Sequence, residues 1–178
     1  MSNYIQTFSG VEFDLSDVRP EMVSIKDIAH GLANTCRFGG HCKEFYSVAQ
    51  HSIIASALAP PEHAFAALLH DAAEAYLGDI PSPLKRLLPD YRALEKRVEA
   101  VIFERFGIPY PLPGAVKYAD LQALALERRF LLTKSSGAWP MLVGVEVPSG
   151  VILPESPERA KARFLDRFLE LVGGVAYA

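Results

Sequence analysis

Along most of this chain the apolar positions fall at helical spacing, and glycine or proline marks where each run ends. Leu94, Val98, Val101 and Ile102 make one such stripe, predicting a helix from Pro89 to Phe106 that stops at Gly107 and Pro109. Ser24-Ile25-Lys26-Asp27 resembles a capping box and predicts a helix to about Thr35. Further helices are expected over Phe45 to Leu58, Glu62 to about Leu77 and Pro113 to about Leu132. Ser156-Pro157 is a good N-cap with a first-turn proline and starts a last helix to about Val172. Gly39-Gly40, Pro60-Pro61 and the stretch from Gly78 to Pro83 separate these runs. Two β excursions interrupt the pattern. Tyr4–Phe8 and Val11–Leu15 flank Ser9-Gly10 as a small hairpin, and residues 137–155, with β-prone Met141–Val147, form a second hairpin or an extended excursion. No repeat or linker divides the chain, so the expectation is one all-α helical bundle over residues 1–178 with small peripheral β-hairpins.

Composition narrows the class. The chain has 178 residues, half of them hydrophobic, which suits one globular domain and argues against disorder. A formal net charge of -3 leaves no basic footprint for a nucleic-acid polymer, while a small anionic ligand remains open. No apolar run approaches the roughly 18 residues of a membrane span, and the Met1–Gln6 segment lacks the pattern of a secretory signal. Cys36 and Cys42 make no disulfide framework, and four ligands at zinc-knuckle spacing are absent; reduced thiols in a cytoplasmic protein are the simpler expectation.

One stretch stands out: Ala67-Leu68-Leu69-His70-Asp71-Ala72-Ala73-Glu74 sets a histidine and two carboxylates in an apolar run. Desolvating an unpaired carboxylate is costly, and a divalent cation would supply the partner. Glu74, four residues after His70 and three after Asp71, lies on the same helical face. His51 and Asp120 each sit mid-helix among apolar neighbours. Alone, His51 reads as a core histidine, and Asp120 as solvated or paired with Lys117 or Arg128. Together with His70 and Asp71 they offer two nitrogens and two oxygens, a set suited to Zn, Mn, Co or Fe(II) more than to Ca.

The order His51, His70-Asp71, Asp120 resembles the HD-domain metal-dependent phosphohydrolases. His70-Asp71-Ala-Ala-Glu74-Ala-Tyr-Leu-Gly78-Asp79-Ile-Pro81 is similar to the HD-x-x-E-x-x-x-G-D-x-P stretch of the small 5′-deoxynucleotidases and deoxynucleoside triphosphohydrolases. Arg37-Phe38 resembles the Arg-aromatic pair of that branch, and the likeness spans about residues 25–135. It implies an HD-domain bundle, one divalent metal (Mn, Co, Zn or Fe, with Mg allowed) on His51, His70, Asp71 and Asp120, and homo-oligomers. It also implies a nucleotide substrate, a dNMP or a dNTP such as dATP, whose 5′ phosphate ester is hydrolysed.

No histidine follows His70. HD relatives that hold a second metal, the oxygenases and cyclic-dinucleotide phosphodiesterases, place extra histidines there, so a mononuclear phosphohydrolase is expected. Glu74 is the first candidate for acid/base work, with Asp79 beside it, although Asp79 also suits a plain turn. Arg37 is a planar bidentate donor for phosphate, Gly39 allows close backbone approach, Phe38 walls sugar or base or fills core, and Lys85 makes a further phosphate contact or is an exposed loop lysine. A reading from another class, a non-catalytic HD-type module that binds metal or nucleotide for regulation, fits less well, because the whole residue set is kept.

Overall fold

A computed structural model of the chain describes residues 3–173; Met1, Ser2 and residues 174–178, which the expected N-terminal segment and domain span include, lie outside the described residues. The fold is mostly α-helical. In chain order the elements are strands β1 (Tyr4–Gln6) and β2 (Glu12–Asp14), then helices α1 (Ile25–Asn34), α2 (Val48–Leu58), α3 (Ala64–Leu69), α4 (Glu74–Leu77), α5 (Ser82–Lys85), α6 (Pro89–Phe106), α7 (Gly114–Phe130) and α8 (Pro157–Leu171).

Helix α2 is the axis of the bundle. Ser47 caps it by accepting from the Gln50 amide, which starts the helix at Val48 and not at Phe45. Nearly every residue from Val48 to Ser56 is buried, as befits a helix surrounded on all sides. α1, α3, α7 and α8 pack around it, which brings the third, second and seventh helices to one place in the core. α8 contributes Ala160, Phe164 and Phe168 to that core.

The expected helix from Glu62 to Leu77 is broken into α3 and α4. In a continuous helix the Ala67 carbonyl would take the amide of Asp71. Here the His70 ring, through Nδ1, takes that carbonyl at 2.7 Å. The chain then tightens into i to i+3 bonds, Ala72 N to Leu69 O at 3.0 Å and Glu74 N to Asp71 O at 2.9 Å. His70 and Asp71 therefore sit on a turn at the end of α3. Gly31 lets α1 lie directly on α4, since a Cβ there would fall 2.7 Å from the Ala75 carbonyl oxygen.

The hairpin forms with Ile5 opposite Phe13, but its loop runs from Thr7 to Val11 and is longer than Ser9-Gly10. Asp27 does not complete a capping box; its carboxylate accepts from the Ser9 amide and hydroxyl at 2.7 and 2.6 Å and ties the hairpin to α1. Phe13 stacks on Tyr76 with centroids 3.9 Å apart. The second β excursion makes no ladder. It enters through a 3-10 turn at Pro140–Leu142, and only its end is held by the Gln50 amide, which donates to the Leu153 carbonyl at 2.7 Å and accepts from the Glu155 amide at 3.1 Å. Among the described residues no helix is long and apolar enough to cross a membrane.

Candidate metal centre

Two helices and one turn converge on a polar pocket inside the bundle. His51 comes from the middle of α2, His70 and Asp71 from the turn after α3, and Asp120 from α7. The His51 and His70 Nε2 atoms are 3.3 Å apart. Asp120 Oδ1 lies 3.2 Å from the first and 3.8 Å from the second. These three ligand atoms form one group that could hold a metal ion. Asp71 Oδ2 flanks it, 3.1 Å from His70 Nε2 and 3.6 Å from His51 Nε2.

The tautomers suit a cation. His51 Nδ1 is 2.6 Å from Glu127 Oε1, and His70 Nδ1 is 2.7 Å from the Ala67 carbonyl oxygen. Both acceptors require a donor, so each Nδ1 carries the hydrogen. Each ring then turns its Nε2 toward the other across 3.3 Å, with carboxylate oxygens on either side. Four electron-rich atoms facing one another need a shared positive charge. A divalent ion would supply it, and second-acceptor bonds of this kind orient metal-bound histidines elsewhere.

The electrostatics agree. Burial opposes protonation of His51 and His70, yet the carboxylates of Glu127, Asp71 and Asp120 outweigh it and raise both pKa values. Burial likewise pushes Asp71 and Asp120 up, but the two imidazoles hold them well below the usual carboxylate range. Asp120 spends its second oxygen on Lys117 Nζ at 2.6 Å, one of the two partners expected for it.

Glu127, which the sequence reading missed, organises the back of the site. It is wholly buried on α7, about two helical turns after Asp120 and so on the same face. Besides His51 it accepts from the Tyr46 hydroxyl at 3.0 Å and from Arg37 Nη2 at 3.1 Å. Arg37 also reaches Asp71 Oδ2 at 3.5 Å with Nη1, while its Nε is buried without a partner. Arg37 is thus a buried counter-ion for two carboxylates. The spacing of Asp120 and Glu127 on one helix was the available signal.

Glu74 and Asp79 stand on the other side of the turn. Glu74 is buried on α4; its Oε1 accepts from Lys85 Nζ at 3.1 Å, and its Oε2 is buried with no hydrogen-bond partner. Burial, then the charges of Asp71 and Asp79, push its pKa well up. Burial raises Asp79 too, against the pull of Arg37. Lys85, at the end of α5, is no free loop lysine. It bridges Glu74 and Glu95 Oε1, the latter at 2.5 Å.

Phe38 and Gly39 form a left-handed run with φ of 55° and 59°. A Cβ on Gly39 would lie 3.9 Å from Pro81, so this loop abuts the one that carries Asp79. Cys36 and Cys42 are free thiols, and both line a cavity of about 390 Å³ beside Arg37.

No protein-family model matches the chain. It is 47% identical over 170 residues to the uncharacterized protein YfdR of Escherichia coli K12, covering 95% of this chain and 96% of that one. An uncharacterized protein of Rhodobacter capsulatus is 41% identical over 133 residues, 67% of this chain and 68% of that one. The chain belongs to the family of YfdR.

Proposed function

We propose that this protein is an HD-domain phosphohydrolase that uses one divalent metal to hydrolyse the 5′ phosphate ester of a deoxynucleotide, a dNMP or a dNTP. The observation that carries the proposal is the convergence of His51, His70 and Asp120 on one point, with Asp71 beside them and an unpartnered Glu74 oxygen across the turn. The four metal-facing residues fit a borderline transition metal such as Mn, Co, Zn or Fe(II), with Mg as a weaker fit. When bound, such an ion polarises a phosphoryl oxygen and acidifies water.

The chain's own groups then divide the work. Glu127 holds the His51 ring by Nδ1, and the Ala67 carbonyl does the same for His70, so both Nε2 atoms stay aimed at the centre. Arg37 offsets the charge of Glu127 and Asp71, which allows so many carboxylates to share one pocket. Lys85 fixes Glu74 by Oε1 and leaves Oε2 to hold or pass a proton at the reacting water or the leaving oxygen. Asp79 stands close enough to Glu74 for its charge to raise the Glu74 pKa, and it shares the proton handling.

Metal analysis of the purified protein, followed by a phosphate-release screen over dNMPs and dNTPs with Mn, Co, Zn, Fe(II) and Mg, tests the reading. Release of phosphate or tripolyphosphate that needs added metal is the expected result. Metal-loaded protein that binds nucleotide yet releases nothing would instead support a regulatory binding module.

A further inference from the structure

Phe38 and Trp139 come from segments about a hundred residues apart, and neither ring belongs to the two apolar cores of the protein. Their centroids are 6.3 Å apart at 46°, and both side chains are only half-buried. Each ring carries a guanidinium over it, Arg37 at 5.3 Å from Phe38 and Arg128 at 4.9 Å from Trp139. Arg128 also donates to the Gly137 carbonyl at 2.6 Å, which fastens the Trp139 loop to the end of α7. Phe38 is the one non-glycine residue with positive φ among those described. That conformation disfavours any residue with a Cβ and persists mainly where surrounding structure enforces it, as at ligand clamps.

The position of the pair matters as much as its chemistry. Arg37, next to Phe38 in sequence, contacts Asp71 at the metal centre, and Gly39 abuts Pro81, two residues past Asp79. The aromatic pair therefore stands at the rim of the candidate active site. Half-exposed aromatic rings framed by cations suit a flat π-system joined to an anionic group. Burial in a core would have served packing alone.

Resting on the phosphohydrolase reading above, we infer that Trp139, together with Phe38, is the stacking platform for the base of the nucleotide. The selective feature of the substrate is then a nucleobase, and the site discriminates nucleotides from simple sugar phosphates. Arg128 is a positioning residue that acts through Trp139.

Trp139 is the only tryptophan in the chain, so its fluorescence reports this site alone. Zinc-loaded protein is titrated with dAMP, dATP and 2-deoxyribose 5-phosphate. The expected result is saturable quenching by the two nucleotides and none by the sugar phosphate. In parallel, the ratio of kcat/KM for dAMP over 2-deoxyribose 5-phosphate is measured. It should fall about 5- to 150-fold in Trp139→Ala, the weight of one base stack, and recover in Trp139→Phe. Absence of base-dependent quenching, or an unchanged ratio in Trp139→Ala, overturns the inference. The two readings fail differently. Hydrolysis that ignores the base removes the platform and leaves the phosphohydrolase, whereas base-dependent quenching with no hydrolysis of any compound keeps the platform and removes the phosphohydrolase.

Discussion

Glu127 Oε1 lies 2.6 Å from His51 Nδ1, and neither side chain reaches solvent. This bond sets the His51 tautomer and aims Nε2 at the other ligands. Glu127→Gln keeps the shape but loses the charge, and metal affinity should fall about 10- to 100-fold, the usual weight of such a partner. Competition with a chelator measures it. Both variants leave Arg37 buried with one of its two counter-ions gone, at about 3–5 kcal/mol. Glu127→Ala should cost more again, because it also opens a cavity and leaves the Tyr46 hydroxyl without its acceptor. Equal stability of the two variants in urea unfolding would count against that account.

His70→Ala and Asp120→Asn each remove one candidate ligand. Both proteins are expected to fold, since the pocket is polar and relief of crowding among electron-rich atoms offsets lost contacts. Circular dichroism should be unchanged while bound metal, read by elemental analysis, drops below stoichiometric. Full metal content in both variants would put the ion elsewhere.

Glu74→Gln should lower turnover by about 10²- to 10⁴-fold with metal content intact, the range for a lost acid/base group. Lys85→Met should lower it less, because the carboxylate stays and only its orientation by Nζ is lost. Steady-state kinetics on metal-saturated protein separates the two. A Lys85→Met defect repaired by raising the substrate concentration would point instead to a direct phosphate contact.

How much of this could be read along the chain follows from what each residue needs around it. His70-Asp71 was legible because charge in an apolar run demands a partner, whereas His51 and Asp120, unremarkable singly, joined it only as a set whose order resembles the HD-domain proteins. The fold brings His51, His70 and Asp120 together. Glu127 was hidden: Glu127-Arg128-Arg129 reads as the polar end of an amphipathic helix, and only the packing of α7 on α2 buries it. Lys85 looked like a loop residue because its partners lie on α4 and α6. The break after Leu69 left no mark in alanines and leucines, which favour helix, since a side chain of the turn itself causes it. The 137–155 segment has β character, but its partner is a glutamine side chain and no strand.

Gly31→Ala tests the approach of α1 to α4. Alanine in a helix interior ordinarily gains about 1 kcal/mol over glycine. Here the new Cβ meets a backbone carbonyl at 2.7 Å, and overpacking of this kind costs about 1–3 kcal/mol. The carbonyl cannot swing aside like a side chain, so a net loss of stability is expected, with a shift of α4 that also lowers turnover through Glu74. A stabilised, fully active variant would contradict this packing.

Glu99 supplies a pH prediction. Burial and then Glu95 raise its pKa to about 7 in the folded protein, against 4.5 ordinarily. Below pH 4.5 both states are protonated; between 4.5 and 7 the unfolded chain ionises first, so this group's contribution falls as pH rises. Because Glu99 is only partly buried, the loss is about 1–2 kcal/mol. Glu99→Gln should remove it, so the variant gains on the native protein between pH 5 and pH 8 in urea unfolding. Parallel pH profiles for the two proteins would show that Glu99 titrates normally.

The central claim is that one metal ion per chain, held by His51, His70, Asp71 and Asp120, drives phosphate release. Stepwise loading of chelator-stripped protein with Mn or Co, with phosphate release from a deoxynucleotide recorded at each step, tests it most directly. Activity should rise in proportion to bound metal and stop rising at one equivalent. Release that survives chelation, or full loading with no release from any deoxynucleotide, would contradict the account.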